Sequence, residues 1–154
     1  MVILSACLCG INCKYNGKNN YNEEAYELFR NGKAILICPE QLGGLSTPRK
    51  PCEIINGSGE NVLSGTGRVI NNDLADCTNN FILGAKEALK IAKSVSCTAA
   101  ILKANSPSCG CNNVYDGSFS GKLVKGIGVT ASLFLQNGIK VYDEYEINKI
   151  YNLK

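Results

Sequence analysis

Val2-Ile3-Leu4-Ser5-Ala6-Cys7 opens the chain, and its reading decides the fold. It is a short apolar run that stops at a cysteine, and two later runs repeat the form. Ala34-Ile35-Leu36-Ile37 stops at Cys38, and Ala99-Ala100-Ile101-Leu102-Lys103 is followed by Cys109. Taken as parallel strands of one open sheet, the three runs bring their carboxyl ends to one edge, where such folds build their sites. Three thiolates from three separated loops then converge on one point, a metal or iron–sulfur pocket with room for a fourth ligand.

Between these runs the pattern changes to helical spacing. Asn22 to Asn31 places Ala25, Leu28 and Phe29 on one face, with Gly32 as the cap. A longer helix is expected to begin near Asn72 or Asp73, carrying Leu74, Phe81, Ile82, Ala85, Leu89 and Ala92 inward and Lys86, Glu87 and Lys90 outward. Gly128 to Asn137 is apolar enough for a buried helix ended by Gly138, and Ile139-Lys140-Val141-Tyr142 supplies a last strand. Gly43 to Pro51 contains two prolines that forbid a helix, and so long a stretch is more often functional or lid-like than idle. Cys52 to Asn71 reads as a small hairpin, and Val114 to Gly121 as a tight hairpin or loop. The expected fold is α/β, a small Rossmann-like three-layer domain with a mainly parallel sheet of about four strands, spanning 1–154 as a single domain.

Composition narrows the function. The chain has 154 residues, 45% hydrophobic and 19% charged, enough for one core and giving no reason to expect two. A net charge of +3 from scattered Lys and Arg argues against a nucleic-acid partner. No apolar run is long enough to cross a bilayer and no secretion signal is visible, so a cytoplasmic location is expected. Oligomeric state leaves no mark in the sequence. Nine cysteines do not make a disulfide framework here, because the number is odd and the core needs no staples. Cys52, Cys77 and Cys97 read as small buried hydrophobes. Cys7, Cys9, Cys13, Cys38, Cys109 and Cys111 stand at strand ends or in the loops that follow, and are the metal candidates. The chain has no histidine, which removes His-containing zinc sites, Cys–His nucleophile pairs and a histidine base. Proton transfer falls to carboxylate, thiol, lysine, tyrosine or water, and all-thiolate ligation favours iron–sulfur or zinc.

A set of short motifs then carries a resemblance. Ser5-Ala6-Cys7-Leu8, Cys38-Pro39-Glu40, Gly43-Gly44-Leu45, Thr47-Pro48-Arg49, Leu102-Lys103, Ser106-Pro107-Ser108-Cys109-Gly110, Tyr115-Asp116-Gly117 and Gly128-Val129-Thr130 follow one another in order. In this the chain resembles the bacterial thiouracil desulfidase family in its short form. The resemblance implies a 4Fe–4S cluster held by Cys7, Cys38 and Cys109, with one iron left open as a Lewis acid for a thiocarbonyl sulfur. It also implies proton transfer by Glu40 and positioning of substrate or water by Ser106, with a small thiolated heterocycle such as 2-thiouracil as substrate. On the residues alone, Glu40 could equally serve as an N-cap or loop ion pair, and the Ser106 hydroxyl could stabilise its own turn. Arg49 and Asp116 could orient the heterocycle or pin their own loops, and Lys103 could balance cluster charge. Three thiols depart from the family pattern: Cys9, Cys13 and Cys111, any of which could cap the open iron. A capped, non-catalytic iron–sulfur or zinc protein is the alternative function. A thiol redox protein ranks last, since no Cys-x-x-Cys pair occurs.

Overall fold

The computed structural model describes residues 1–151 and builds the expected layers. Strands β1 (Val2–Ser5), β2 (Ala34–Ile37), β5 (Ala99–Leu102) and β8 (Lys140–Asp143) pair in parallel in the order β2-β1-β5-β8. Side chains alternate across the sheet, so Ile3, Ala100 and Leu102 enter one core while Leu4 and Ile101 enter the other. Both faces are apolar because both are covered. Helices α4 (Thr78–Ser94) and α5 (Val129–Gln136) cover the first, burying Ala88, Ala92, Ala131 and Phe134. Helices α1 (Glu23–Arg30) and α6 (Ile147–Tyr151) cover the second with Ala25, Leu28 and Ile147.

The remaining elements cluster at the carboxyl edge of the sheet. They are α2 (Pro39–Leu42), the antiparallel pair β3 (Cys52–Ile55) and β4 (Arg68–Asn71) around α3 (Gly59–Ser64), and the hairpin β6 (Asn113–Tyr115) and β7 (Leu123–Lys125). A third core of Ile54, Val62, Val69, Phe81 and Val129 binds this group to α4 and α5. Among the described residues no helix is long and apolar enough to cross a membrane.

Several expectations are corrected. The long helix starts at Thr78, and Leu74 is 74% exposed with φ of 64°. The Asn71 side chain is responsible: its Oδ1 accepts from the amides of Asp73 and Ala75 and holds a turn where a helix was expected. Phe29 lies outward on α1, at 40% exposed, while Ala25 and Leu28 are buried. The 52–71 hairpin is interrupted by α3, which its four glycines do not announce. The short helix α2 was not expected, yet Pro39 at its first position has the φ a helix start requires.

Candidate functional site

Chain order reverses direction across the sheet at β1, which lies between β2 and β5. Such a switch point opens a crevice beyond the strand ends, and here a cleft of about 470 Å³ fills it. Cys7, Cys38 and Cys109 all line it, together with Glu40, Ser106 and a fourth thiol, Cys13.

Each strand-end thiol is placed by a different local device. After β1 the backbone tightens into a single 3₁₀ turn over Ala6–Cys9, closed by Gly10 at φ of 82°. At three residues per turn, positions two apart diverge. Cys7 therefore faces the cleft, while Cys9 turns into the core beside Leu8 and Ala25. Cys38 precedes Pro39 and caps α2, whose position is fixed by close approach to α4. A Cβ on Gly84 would stand 1.9 Å from the Pro39 carbonyl oxygen, and one on Gly43 would stand 2.0 Å from that of Asn80. Only glycine permits that contact. Cys109 rides on a loop wrapped around the start of α5: the amides of Val129 and Thr130 donate to the carbonyls of Pro107 and Ser108. Gly128 packs so tightly that a Cβ there would meet the Ser108 carbonyl at 2.5 Å. The Gly128-Val129-Thr130 motif is thus the seat of the Cys109 loop.

The thiols are electrostatically unequal. The Cys13 thiol donates toward Cys38 and draws it down to about 7, against burial and with help from the Gln41 amide of α2. Cys7 is lowered mainly by the same donor, opposed by burial, with smaller contributions from Asn20 and the positive charge of Lys103. Cys109 is pushed up to about 12 by burial, which the Ser5 hydroxyl, 3.5 Å from its sulfur, only partly offsets. Two of the strand-end thiols are thus shifted toward thiolate and the third toward the neutral thiol. Glu40 is raised by burial and partly restored by Arg49, whose Nε lies 3.2 Å from its Oε1. That ion pair is the role of Arg49, which also binds its own loop at Ser46 and Thr47.

Ser106 lines the cleft and braces its turn at once. Its Oγ accepts from the amides of Ser108 and Cys109, both at 3.1 Å, and among the described residues its hydroxyl donates to no protein acceptor. Lys103 borders the cleft while its ammonium pairs with Glu144 at 2.5 Å. Asp116 stays outside, accepting from Ser118 in its own exposed loop. Cys111 is also outside, beside Asp143 and Glu146. Cys52 is buried as expected but also forms part of the cleft wall. Sequence reasoning did not single out Glu53, whose carboxylate accepts from the amides of Gly117 and Phe119 and ties the β6–β7 loop to β3. A carboxylate within a strand gives no hint of so distant a partner.

The donor set can be tested against what it would hold. Around a single tetrahedral ion with bonds of about 2.3 Å, sulfurs would stand about 3.8 Å apart. No three of the cleft thiols have sulfurs within 4.8 Å of one another; among the described residues only Cys111, Asp143 and Glu146 meet that limit. The cleft thiols are therefore not drawn together as tightly as the ligands of one tetrahedral ion.

Comparison with known proteins places the chain in a family. A family model for 2-thiouracil desulfurase matches residues 2–146. YbbK, an uncharacterized protein of Bacillus subtilis (strain 168), is 47% identical over 150 residues, covering 97% of this chain and 99% of its own. A solved structure described as the [4Fe-4S]-dependent thiouracil desulfidase TudS superposes with a TM-score of 0.86 at 34% identity, covering 98% of this chain and 95% of that one. Matched along almost its whole length in both sequence and fold, the chain belongs to the 2-thiouracil desulfurase family.

Proposed function

We propose that the protein removes sulfur from a thiolated nucleobase such as 2-thiouracil, giving uracil and sulfide without net electron transfer. One observation carries the reading: three strand-end thiols, a buried carboxyl and the Ser106 hydroxyl line the same cleft. Family membership and the [4Fe-4S]-dependent neighbour support it. Cys7, Cys38 and Cys109, which line one cleft from three separate loops, are the residues that would hold a 4Fe–4S cluster. When bound, the cluster supplies a Lewis-acidic iron for the thiocarbonyl sulfur.

The rest is done by side chains. In the overall change one water oxygen replaces sulfur on the ring carbon, and both water protons leave with the sulfur. Glu40 moves a proton between the two: raised by burial, its carboxyl can both take one from water and return it to sulfur. Arg49 holds that carboxyl in place. Ser106 donates its hydroxyl hydrogen to the heterocycle or the attacking water, from an oxygen fixed by two amides. The cleft is partly enclosed by the β6–β7 hairpin through Tyr115 and Gly121, which limits bulk water.

Protein reconstituted anaerobically with iron and sulfide should release sulfide from 2-thiouracil, and Cys7→Ala should not. A reconstituted protein with an intact cluster and no release from any thiolated pyrimidine would overturn the activity.

A further inference from the structure

Three thiols beyond the strand-end set were open as a cap for the site, and the structure separates them. Cys9 is buried against Leu4, Leu8 and Ala25, with its sulfur 3.7 Å from the Ala25 carbonyl. Cys111 stands outside the cleft, beside Asp143 and Glu146. Cys13 alone of the three lines the cleft, and it lies against both Cys7 and Cys38. We propose that Cys13 is an exchangeable fourth ligand, covering the open iron when substrate is absent and yielding to the substrate's sulfur. The proposal rests on the reading of the cleft as an iron–sulfur site.

The four thiols differ in how they are anchored, and that difference assigns the exchangeable role. Cys7, Cys38 and Cys109 follow strands of one sheet and are held by a 3₁₀ turn, a glycine-packed helix and the start of α5. Cys13 sits in residues 10–22, which contain no helix or strand; beside local bonds such as Lys14 to Lys18, the loop is tied to Cys7 through the Asn20 amide and to Arg49 through the Tyr15 carbonyl. None of these bonds belongs to the sheet, so in the proposed exchange the loop shifts while the three strand ends stay in place. Its thiol is nonetheless only 2% exposed, so no bulk water competes for its place. The Cys13 carbonyl accepts from the Cys38 thiol at 3.8 Å, and a second contact links the loop to the proton-carrying group. Arg49 Nη2 donates to the Cys13 carbonyl at 2.9 Å while Nε binds Glu40, so one buried guanidinium positions both the covering thiol and the proton-carrying carboxyl.

The exchange balances without an oxidant. The bond from iron to the Cys13 sulfur breaks as a bond from iron to the thiocarbonyl sulfur forms, and no electrons change hands. The released thiolate takes one proton from the cleft and returns it when it rebinds after sulfide has left. Between turnovers the labile iron corner is shielded, a use for a fourth thiol in a site that needs only three.

The test uses substrate-free protein reconstituted anaerobically, comparing wild type, Cys13→Ala, Cys13→Ser and Cys7→Ala. Iron and acid-labile sulfide are measured first, and then the rate at which ferricyanide generates the paramagnetic three-iron cluster. Both Cys13 variants should assemble the full cluster and lose the fourth iron about tenfold faster than wild type. Excess 2-mercaptoethanol should slow the loss in Cys13→Ala and leave wild type unchanged. Equal rates in wild type and both Cys13 variants would overturn the proposal. Should Cys7→Ala hold as much cluster as wild type, the reading of the cleft itself would fail, and the cap with it.

Discussion

Ser106 shows how one side chain can serve both architecture and chemistry. Its oxygen accepts from the two amides that set the direction of Cys109, so Ser106→Ala should cost about 1 kcal/mol in urea unfolding of the cluster-free protein, as loss of a comparable cap does. The same variant should retain less iron than wild type after gel filtration. Retention equal to wild type would confine the residue to substrate contact. At this scale the meeting of three strand-end thiols in one cleft was legible. Cys7, Cys38 and Cys109 announced themselves because each follows an apolar run whose end the sheet fixes in space. Glu40 and Ser106 came from motif resemblance, since neither residue type nor spacing distinguishes them from a cap or a turn. The fates of Cys9 and Cys13 could not be read, because both depend on irregular backbone: a 3₁₀ turn sends one inward, and a loop brings the other back to the cleft.

Helix α2 is four residues long and owes its place to its neighbour rather than to its own propensity. Gly84→Ala puts a methyl where the Pro39 carbonyl stands, so α2 must shift with Cys38 and Glu40. We expect a loss of about 1–3 kcal/mol in denaturant unfolding, the cost of an overpacked contact, together with impaired cluster assembly. An unchanged midpoint would show that the two helices can separate freely. The start of α4 gives a pH-dependent case. Asp76 accepts from the Thr78 hydroxyl and amide and pairs with Arg68, which hold its carboxyl below the ordinary range. Folding thus favours the ionised form: the stabilisation is complete above the usual Asp value of about 3.9 and is lost as pH falls through the lower folded value. Solvent screens this half-exposed pair, so Asp76→Asn should cost less than about 1 kcal/mol at pH 7. Its stability should converge with that of wild type in acid, and a gap that persists to pH 2 would refute the assignment. The same segment marks the limit of periodicity. Leu74 fits the helical spacing, but the polar side chain of Asn71 takes the amides a helix would have used.

Across the whole molecule the parallel sheet was the most legible feature, and the order of its strands explains why the cleft lies at β1. The β3–β4 and β6–β7 units were harder to read, because their positions depend on contacts such as Glu53 to Gly117, 64 residues apart in sequence. On the proposed reading, a cluster held by three loops would tie together segments that the sheet alone joins at one end. Reconstitution should therefore raise the melting temperature by at least about 5 °C, the effect of ~2 kcal/mol of linkage on a chain of this size. Cys7→Ala should abolish the rise, and a melting temperature indifferent to iron would count against ligation by all three loops. The strand order also dictates when the site can exist during synthesis. Cys7 and Cys38 leave the ribosome early, but β5 and Cys109 follow about 70 residues later, a delay of roughly 4–14 s at ordinary elongation rates. A nascent chain therefore carries Cys7, Cys38 and half a sheet before the third wall of the cleft exists. If the cleft takes the proposed cluster, its delivery would wait for the last third of the polypeptide and belong to maturation rather than translation.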